Sequence, residues 1–325
     1  MNTSAPGMRS ACSDIGMSVR GRFAPSPTGR MHLGNVFTAL ISWLSVRSQG
    51  GKWVLRIEDL DPQRSRPEYT SLIEDDLQWL GLYWDEGGHA GRGTAGPYMQ
   101  SQRHKYYEEA LKHIIEQGRA YVCRCTRAEL RATQAPHATD GSVIYPGTCR
   151  PATAPPYPTF DIDCRANIRV AVEDRDVVYD DVIYGRRHAN LANDCGDFLL
   201  RRADGAWAYQ LAVTVDDGLM GITEVVRGCD LLTSVPRQDY LRRLLGLPGV
   251  TNIHLPLLCN PQGQRLSKRD RGVDMAYLRD HYTADEIIGR LAHAAGLTKS
   301  DKPCRPHELI PTFDIHRIVP HHIVL

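Results

Sequence analysis

Long apolar runs are missing from this chain of 325 residues. No stretch approaches the roughly 20 consecutive apolar residues of a membrane span, so no membrane partner is expected. Net charge is nearly absent too: 39 Lys and Arg stand against 38 Asp and Glu, leaving +1 at pH 7. That balance neither demands nor excludes a polyanionic partner, because nucleic-acid binding needs a basic patch rather than a basic average. Met1 to Arg20 lacks the apolar core of a secretory leader. Residues 1–18 read as a disordered tail, with Met17 a natural alternative start. Internal repeats are also lacking. The nine cysteines are odd in number and scattered, which argues against a disulfide framework and fits a reducing, cytoplasmic setting.

What is present fits an ordinary globular protein, with 42% hydrophobic and 24% charged residues. The chain is long enough for a full core and two or three substructures. Val19–Ala24 is a strand candidate, broken by Pro25 and Pro27. Gly34–Val46 carries apolar residues at helical spacing and stops at Gly50 and Gly51. Trp53–Ile57 is a second strand. Strand, helix and strand within about 40 residues make a βαβ unit, so the fold class is α/β with a parallel sheet. Ser65-Arg-Pro-Glu68 and Thr283-Ala-Asp-Glu286 each read as a capping box opening a helix. A helix is predicted over about 102–117. Trp207–Val215 reads as a strand ending in Asp216-Asp217, Gly221–Arg227 and Ile253–Leu258 as further strands, and Pro236–Leu245 as a helix. Between Tyr121 and about Tyr157 long periodic runs give way to Cys, Pro, Thr and Gly, as in a small inserted module. The predicted partition is 19–120 and 197–270 for two halves of the main unit, 121–196 for the insertion, and 271–325 for a short helical C-terminal part.

Two short stretches carry chemistry. Arg22-Phe-Ala-Pro-Ser-Pro-Thr-Gly-Arg-Met-His-Leu-Gly-Asn35 is a strand, a tight turn and a helix start. The carboxyl end of a parallel strand facing a helix N-terminus favours phosphate. His32 can donate to a phosphoryl oxygen, and Gly34 lets a nucleotide approach the backbone. Arg265-Leu-Ser-Lys-Arg269 is a basic loop after another strand, and Lys268 suits a phosphoryl transition state. Alone, the first is a common Pro/Gly turn and the second a solvated loop. Together, in this order, they resemble the two ATP-handling signatures of class I aminoacyl-tRNA synthetases.

The resemblance extends from Arg22 to about Lys268 and is to the glutamyl branch of that family. Arg56-Ile-Glu-Asp59, Tyr98-Met-Gln-Ser-Gln-Arg103, Val213-Thr-Val-Asp-Asp217 and Val226-Arg-Gly228 also match. It implies a Rossmann-like catalytic domain with an inserted zinc module. It implies His32 and Lys268 as catalytic residues, and ATP, carried with Mg2+, on Thr28, Gly29, His32, Gly34, Asn35 and Lys268. It implies glutamate on Arg22, Ser26, Glu58, Tyr209 and Arg227, with Phe23, Ala24 and Pro25 between the first two. Two arginines can clamp glutamate's carboxylates, and Glu58 can meet its ammonium. Three departures stand out: Asn35 in place of His, a basic loop that keeps only its second lysine, and Val213 where the tRNA-charging enzymes resemble Tyr-x-x-x-Asn, which implies a differently tuned pocket. The stretch from Arg269 to Leu325 is too short for the family's anticodon-binding region. That resembles the short paralogues, which activate L-glutamate without tRNA and esterify the queuosine base in the anticodon of tRNA(Asp). A truncated tRNA(Glu)-charging enzyme and a non-catalytic tRNA- or glutamate-binding paralogue are the competing readings. A monomer is the working expectation.

Cys123-Arg-Cys125 with the distant Cys149 suggests a tetrahedral, structural Zn2+. The alternative is three reduced buried cysteines. The family's zinc pattern makes Tyr145 the fourth ligand, with His137 the ordinary-chemistry alternative.

Overall fold

A computed structural model describes residues 18–126, 128–129, 144–266 and 273–325. In chain order the elements are β1 (Arg20–Phe23), α1 (Leu33–Ser48), β2 (Lys52–Leu55), α2 (Pro67–Trp79), β3 (Glu86–Gly87), α3 (His104–Glu116), β4 (Ala120–Cys123), β5 (Asn167–Val170), β6 (Asp176–Asp181), β7 (Gly185–Asn190), β8 (Leu199–Arg201), α4 (Tyr209–Leu219), β9 (Glu224–Gly228), α5 (Val235–Leu245), β10 (Thr251–Leu255), β11 (Leu258–Cys259), α6 (Met275–His281), α7 (Ala284–Ala294), α8 (Pro306–Leu309) and β12 (Ile323–Val324). The main sheet runs β3-β2-β1-β9-β10-β6-β7. Its strands are parallel except β7, which returns antiparallel beside β6. This is the Rossmann-like α/β architecture that the resemblance implies. A separate antiparallel sheet, β4-β5-β8, lies in the middle of the chain.

The βαβ unit forms where the pattern places it. Gly50, at φ 65°, turns the chain after α1. That conformation costs glycine little. Val36, Phe37, Leu40, Ile41 and Leu44 of α1 are buried against the sheet and the C-terminal helices in one apolar core. A second core lies between α3, α4, α5 and the three-stranded sheet. Thr283 and Glu286 close the expected capping box on α7. Over 306–325 the chain forms short turns and ends with β12 beside β11.

Three sequence readings change. Tyr209–Leu219 is a helix, not the strand read over 207–215. The β-branched Val213-Thr-Val215 favours a strand locally. Leu211, Ala212 and Val215 nevertheless share one helical face in the second core, and Asp216 and Asp217 are both fully buried. Neighbours on a strand point to opposite faces, whereas here both carboxylates lie near Arg56, Asp217 at 2.7 Å and Asp216 at 3.8 Å. Ser65 is not the cap of α2. Pro67 takes the first helical position, Arg66 is the N-cap, and the Arg66 N–H donates instead to the Pro27 carbonyl at 3.0 Å. Finally, the stretch 121–196 is not a single inserted unit, because its β6–β7 hairpin extends the main sheet beside β10.

One partly buried ion pair ties the sheet edge. Arg20 on β1 grips Glu86 on β3 with two bonds of 2.6 and 2.7 Å, and the Tyr98 hydroxyl donates to the same carboxylate at 2.8 Å. The Arg20 hydrogen bond is the main reason the Glu86 carboxyl titrates low, at about 2. A carboxyl depressed in the folded state stabilises above its unfolded value and loses that contribution as pH falls through the folded one. Glu86→Gln is therefore expected to unfold more easily than wild type at pH 6. The gap in denaturant stability should shrink by roughly half on going to pH 3. An unchanged gap would remove Glu86 from the acid response.

Candidate active site

Strand order reverses between β1 and β9: the chain proceeds outward to β2 on one side and to β10 on the other. Open α/β sheets bind ligands in the crevice outside the carboxyl ends of the strands at such a point. A cavity of about 430 Å³ lies there. Arg22, Phe23, Ala24, Pro25, Ser26, Thr28, Gly29, His32, Gly34, Asn35, Glu58, Tyr209 and Arg227 all line it. The structure thus brings together every ATP and glutamate candidate except Lys268, which lies outside the described residues.

His32 is the N-cap of α1. Its Nδ1 accepts the Gly34 N–H at 3.1 Å. The neutral ring therefore carries its proton on Nε2. Asn35 closes the capping box by accepting the His32 N–H on Oδ1 at 3.1 Å. The departure at Asn35 is thus a local device that fixes His32. A Cβ on Gly34 would lie 2.9 Å from the His32 ring, so this glycine also makes room for the imidazole. The segment following the basic loop packs directly on the turn. His32 and Asp274 form an antiparallel bridge, Leu33 N–H donates to Val273 O at 2.8 Å, and Met275 N–H to Met31 O at 2.9 Å. Arg265, at the loop's start, lines the cavity and pairs with Asp230 at 2.7 Å.

At the other end, α4 supplies the Asp216 and Asp217 carboxylates. Asp217 Oδ1 accepts from Arg56 at 2.7 Å and from Arg22 at 3.2 Å. Asp216 accepts from Arg103 at 2.5 Å, Gln100 at 2.7 Å and the Tyr107 hydroxyl at 2.9 Å. Burial alone would raise Asp217, but Arg22, Arg56 and Arg242 together hold it far below the ordinary carboxylate range. Arg56 also reaches Glu58 at 3.1 Å. Burial pushes the Glu58 carboxyl above its usual value, and Arg56 and Arg22 offset this only in part. A ligand ammonium there would favour the ionised form. Tyr209 opens α4, 37% exposed on the cavity wall. Val213, one turn on, is fully buried and is not among the residues that line the cavity.

Arg227, on β9, is 4% exposed. Nε donates to His254 Nε2 at 2.9 Å and Nη1 to Gln238 Oε1 at 2.9 Å. Nη2 is buried without a hydrogen-bond partner among the described residues, and no carboxylate there forms an ion pair with this guanidinium. His254 and Gln238 went unremarked in the sequence. The available signal was His254, a polar residue between the apolar Ile253 and Leu255 of β10.

In the small sheet, Cys123, Cys125 and Cys149 bring their sulfurs within 4.8 Å of one another. All three are free thiols. The Tyr145 hydroxyl lies 3.4 Å from Cys123 Sγ and 3.6 Å from Cys125 Sγ, and accepts the Cys149 N–H at 2.7 Å. The Arg169 guanidinium lies 3.7 Å from the Tyr145 ring centroid. Burial would raise the Cys149 thiol, but hydrogen bonds from Tyr145 and its neighbours bring it down to about 7. Three soft sulfurs and one phenol oxygen fit a four-coordinate metal such as zinc. His137 lies outside the described residues. Among the described residues no helix is long and apolar enough to cross a membrane.

Residues 18–319 match the family described as tRNA synthetases class I (E and Q), catalytic domain. A glutamyl-Q tRNA(Asp) synthetase of Symbiobacterium thermophilum is 47% identical over 92% of this chain and 93% of its own length. That of Nitratidesulfovibrio vulgaris is 45% identical over 90% and 91%. A glutamate tRNA ligase of Elizabethkingia meningosepticum, solved in complex with its amino acid, superposes with a TM-score of 0.81 at 30% identity, covering 95% of this chain and 67% of that one. The chain belongs to the class I tRNA synthetases of the E and Q type, within the glutamyl-Q tRNA(Asp) synthetase group, and is a ligase of the aminoacyl-tRNA synthetase kind.

Proposed function

We propose that the chain activates L-glutamate with Mg2+-bound ATP, without tRNA, and transfers the glutamyl group to queuosine in the anticodon of tRNA(Asp), working in the cytoplasm. The observation that carries the glutamate half is Arg227: a buried cation lining the cavity with no ion-paired carboxylate among the described residues. A bare buried charge is costly, so a carboxylate ligand is its natural counterion. Arg22 offers a second guanidinium and Glu58 an anion for the ammonium, with Tyr209 and the segment from Phe23 to Ser26 completing the wall. Beside them, Thr28, Gly29, His32, Gly34 and Asn35 offer a helix N-terminus to the phosphates.

In the first step a glutamate carboxylate oxygen attacks the α-phosphorus and pyrophosphate leaves. His32 Nε2–H and Lys268 would bear the charge that develops on the phosphate oxygens. In the second step a hydroxyl of the queuosine cyclopentenediol attacks the mixed anhydride carbonyl and AMP leaves. An anticodon base is already unpaired, so presenting it is cheap. The relatives named glutamyl-Q tRNA(Asp) synthetases, matched along nine-tenths of their length, support this acceptor.

The metal half of the proposal is a structural Zn2+ on Cys123, Cys125, Cys149 and Tyr145. It would hold the small sheet together and takes no part in the transfer.

Three measurements test these readings. Labelled glutamate should enter tRNA(Asp) containing queuosine and not queuosine-free tRNA(Asp), and enzymatic removal of the 3′-terminal adenosine should not block it. Incorporation at the 3′ end of tRNA(Glu) would favour a conventional charging enzyme. Lys268→Ala should slow tRNA-free ATP–pyrophosphate exchange by about a hundredfold or more while leaving the melting temperature unchanged; near-wild-type exchange would remove Lys268 from the mechanism. Purified protein should hold one zinc per chain. Cys149→Ser and Tyr145→Phe should both lower that content, whereas loss in His137→Ala but not Tyr145→Phe would reassign the fourth ligand.

A further inference from the structure

Arg227 does not stand alone at the cavity floor. Parallel pairing of β9 and β10 sets His254 beside it, with Arg227↔His254 in register. On the far side of β10, β6 ends at Asp181, whose Oδ2 lies 2.6 Å from His254 Nδ1. The three side chains form a line across three adjacent strands. His254 is fully buried and Asp181 is 3% exposed.

The protons in this line are dictated by its ends. Guanidinium can only donate. The 2.9 Å contact from Arg227 Nε therefore requires His254 Nε2 to be an acceptor. The ring proton then sits on Nδ1 and is donated to Asp181. Asp181 has no other role to offer. Its Oδ2 also accepts the His254 N–H at 3.1 Å, and its Oδ1 accepts from Ile183 N–H at 3.1 Å and Tyr184 N–H at 2.9 Å. Four N–H groups thus converge on one carboxylate, which fixes one tautomer and one ring orientation.

The consequence falls on Arg227. With Nε tied to His254 and Nη1 to Gln238, which is itself held by donating to Gln210 Oε1 at 3.0 Å, the guanidinium plane is immobilised, and Nη2 has no hydrogen-bond partner among the described residues. We propose that Asp181 and His254 are positioning residues for glutamate binding: they hold Arg227 in the orientation that receives a carboxylate. This rests on the assignment of Arg227 to glutamate made above. Neither residue touches the ligand. Their effect should appear in glutamate affinity and not in ATP affinity.

Two same-charge substitutions separate the ends of the ring. In His254→Gln the side-chain amide reaches the place of Nε2 and can still accept from Arg227. In His254→Asn the shorter amide stays near the place of Nδ1, keeping Asp181 but leaving Arg227 Nε without an acceptor. Asp181→Asn is the isosteric third variant: whichever way its amide turns, an NH2 group faces an N–H donor. With tRNA-free ATP–pyrophosphate exchange as the assay, Arg227→Ala serves as the reference.

His254→Asn and Asp181→Asn are expected to raise the glutamate KM by about tenfold, as for a lost hydrogen bond to a charged group, with the ATP KM within about twofold of wild type. His254→Gln should recover most of the glutamate KM while melting no higher than His254→Asn. A merely structural role would make the effects track melting temperature and leave both KM values alike. That result, or a near-wild-type glutamate KM in both His254→Asn and Asp181→Asn while Arg227→Ala raises it, overturns the positioning role and leaves the pocket assignment standing. A wild-type glutamate KM in Arg227→Ala itself overturns both.

Discussion

The molecule is organised around two adjacent carboxylates, Asp216 and Asp217, buried side by side near the end of α4. Neither could be buried as an isolated charge, since desolvation would be prohibitive. Arg103 from the start of α3 satisfies one, and Arg56 and Arg22 from the ends of β2 and β1 satisfy the other. These contacts join segments 113 to 195 positions apart in the chain. They fix the helical conformation of α4, and with it the place of Tyr209 at the helix start. They also set the guanidinium of Arg22 against the cavity and, through Arg56, the carboxylate of Glu58. Breaking one partner of such a buried network costs about 3–5 kcal/mol, so the geometry of the pocket and the stability of the fold share one set of interactions.

A comparable tie joins the turn after β1 to the segment that follows the basic loop. Asp76 on α2 is fully buried and receives Arg30, two residues before His32, at 2.9 Å and Arg279 on α6 at 2.9 Å. Together with the His32–Asp274 bridge, this locks the first turn to the chain that emerges from the basic loop. Segments from opposite ends of the sequence meet here because each is held to the same helix.

How much of this can be read from sequence depends on the range of the interaction. The capping box at Thr283, the breaks at Pro25 and Pro27 and the apolar spacing of α1 are local, and they were legible. The helix at 209–219 was not. Its β-branched centre argues for a strand, and the argument that wins comes from arginines more than a hundred residues upstream. The β6–β7 hairpin was missed for the same reason, since it joins the main sheet through β10, a strand that comes much later in the chain. Ser65 lost its capping role to a competing local signal, Pro67 at the first helical position. The candidate site residues were recognisable by resemblance, but the supports behind them were not. His254 takes its place beside Arg227 only when β9 and β10 are paired, and Gln238 only when α5 folds against β9.

The central claim is that the crevice between β1 and β9 holds glutamate and the nucleotide together. A crystal structure with a non-hydrolysable glutamyl-adenylate analogue tests it most directly. The account places one glutamyl carboxyl group on the Arg227 guanidinium, the ammonium at Glu58, and the nucleotide phosphate position at the His32 end of α1. Binding with the glutamyl group away from Arg22 and Arg227, or a nucleotide seated outside this crevice, would contradict it.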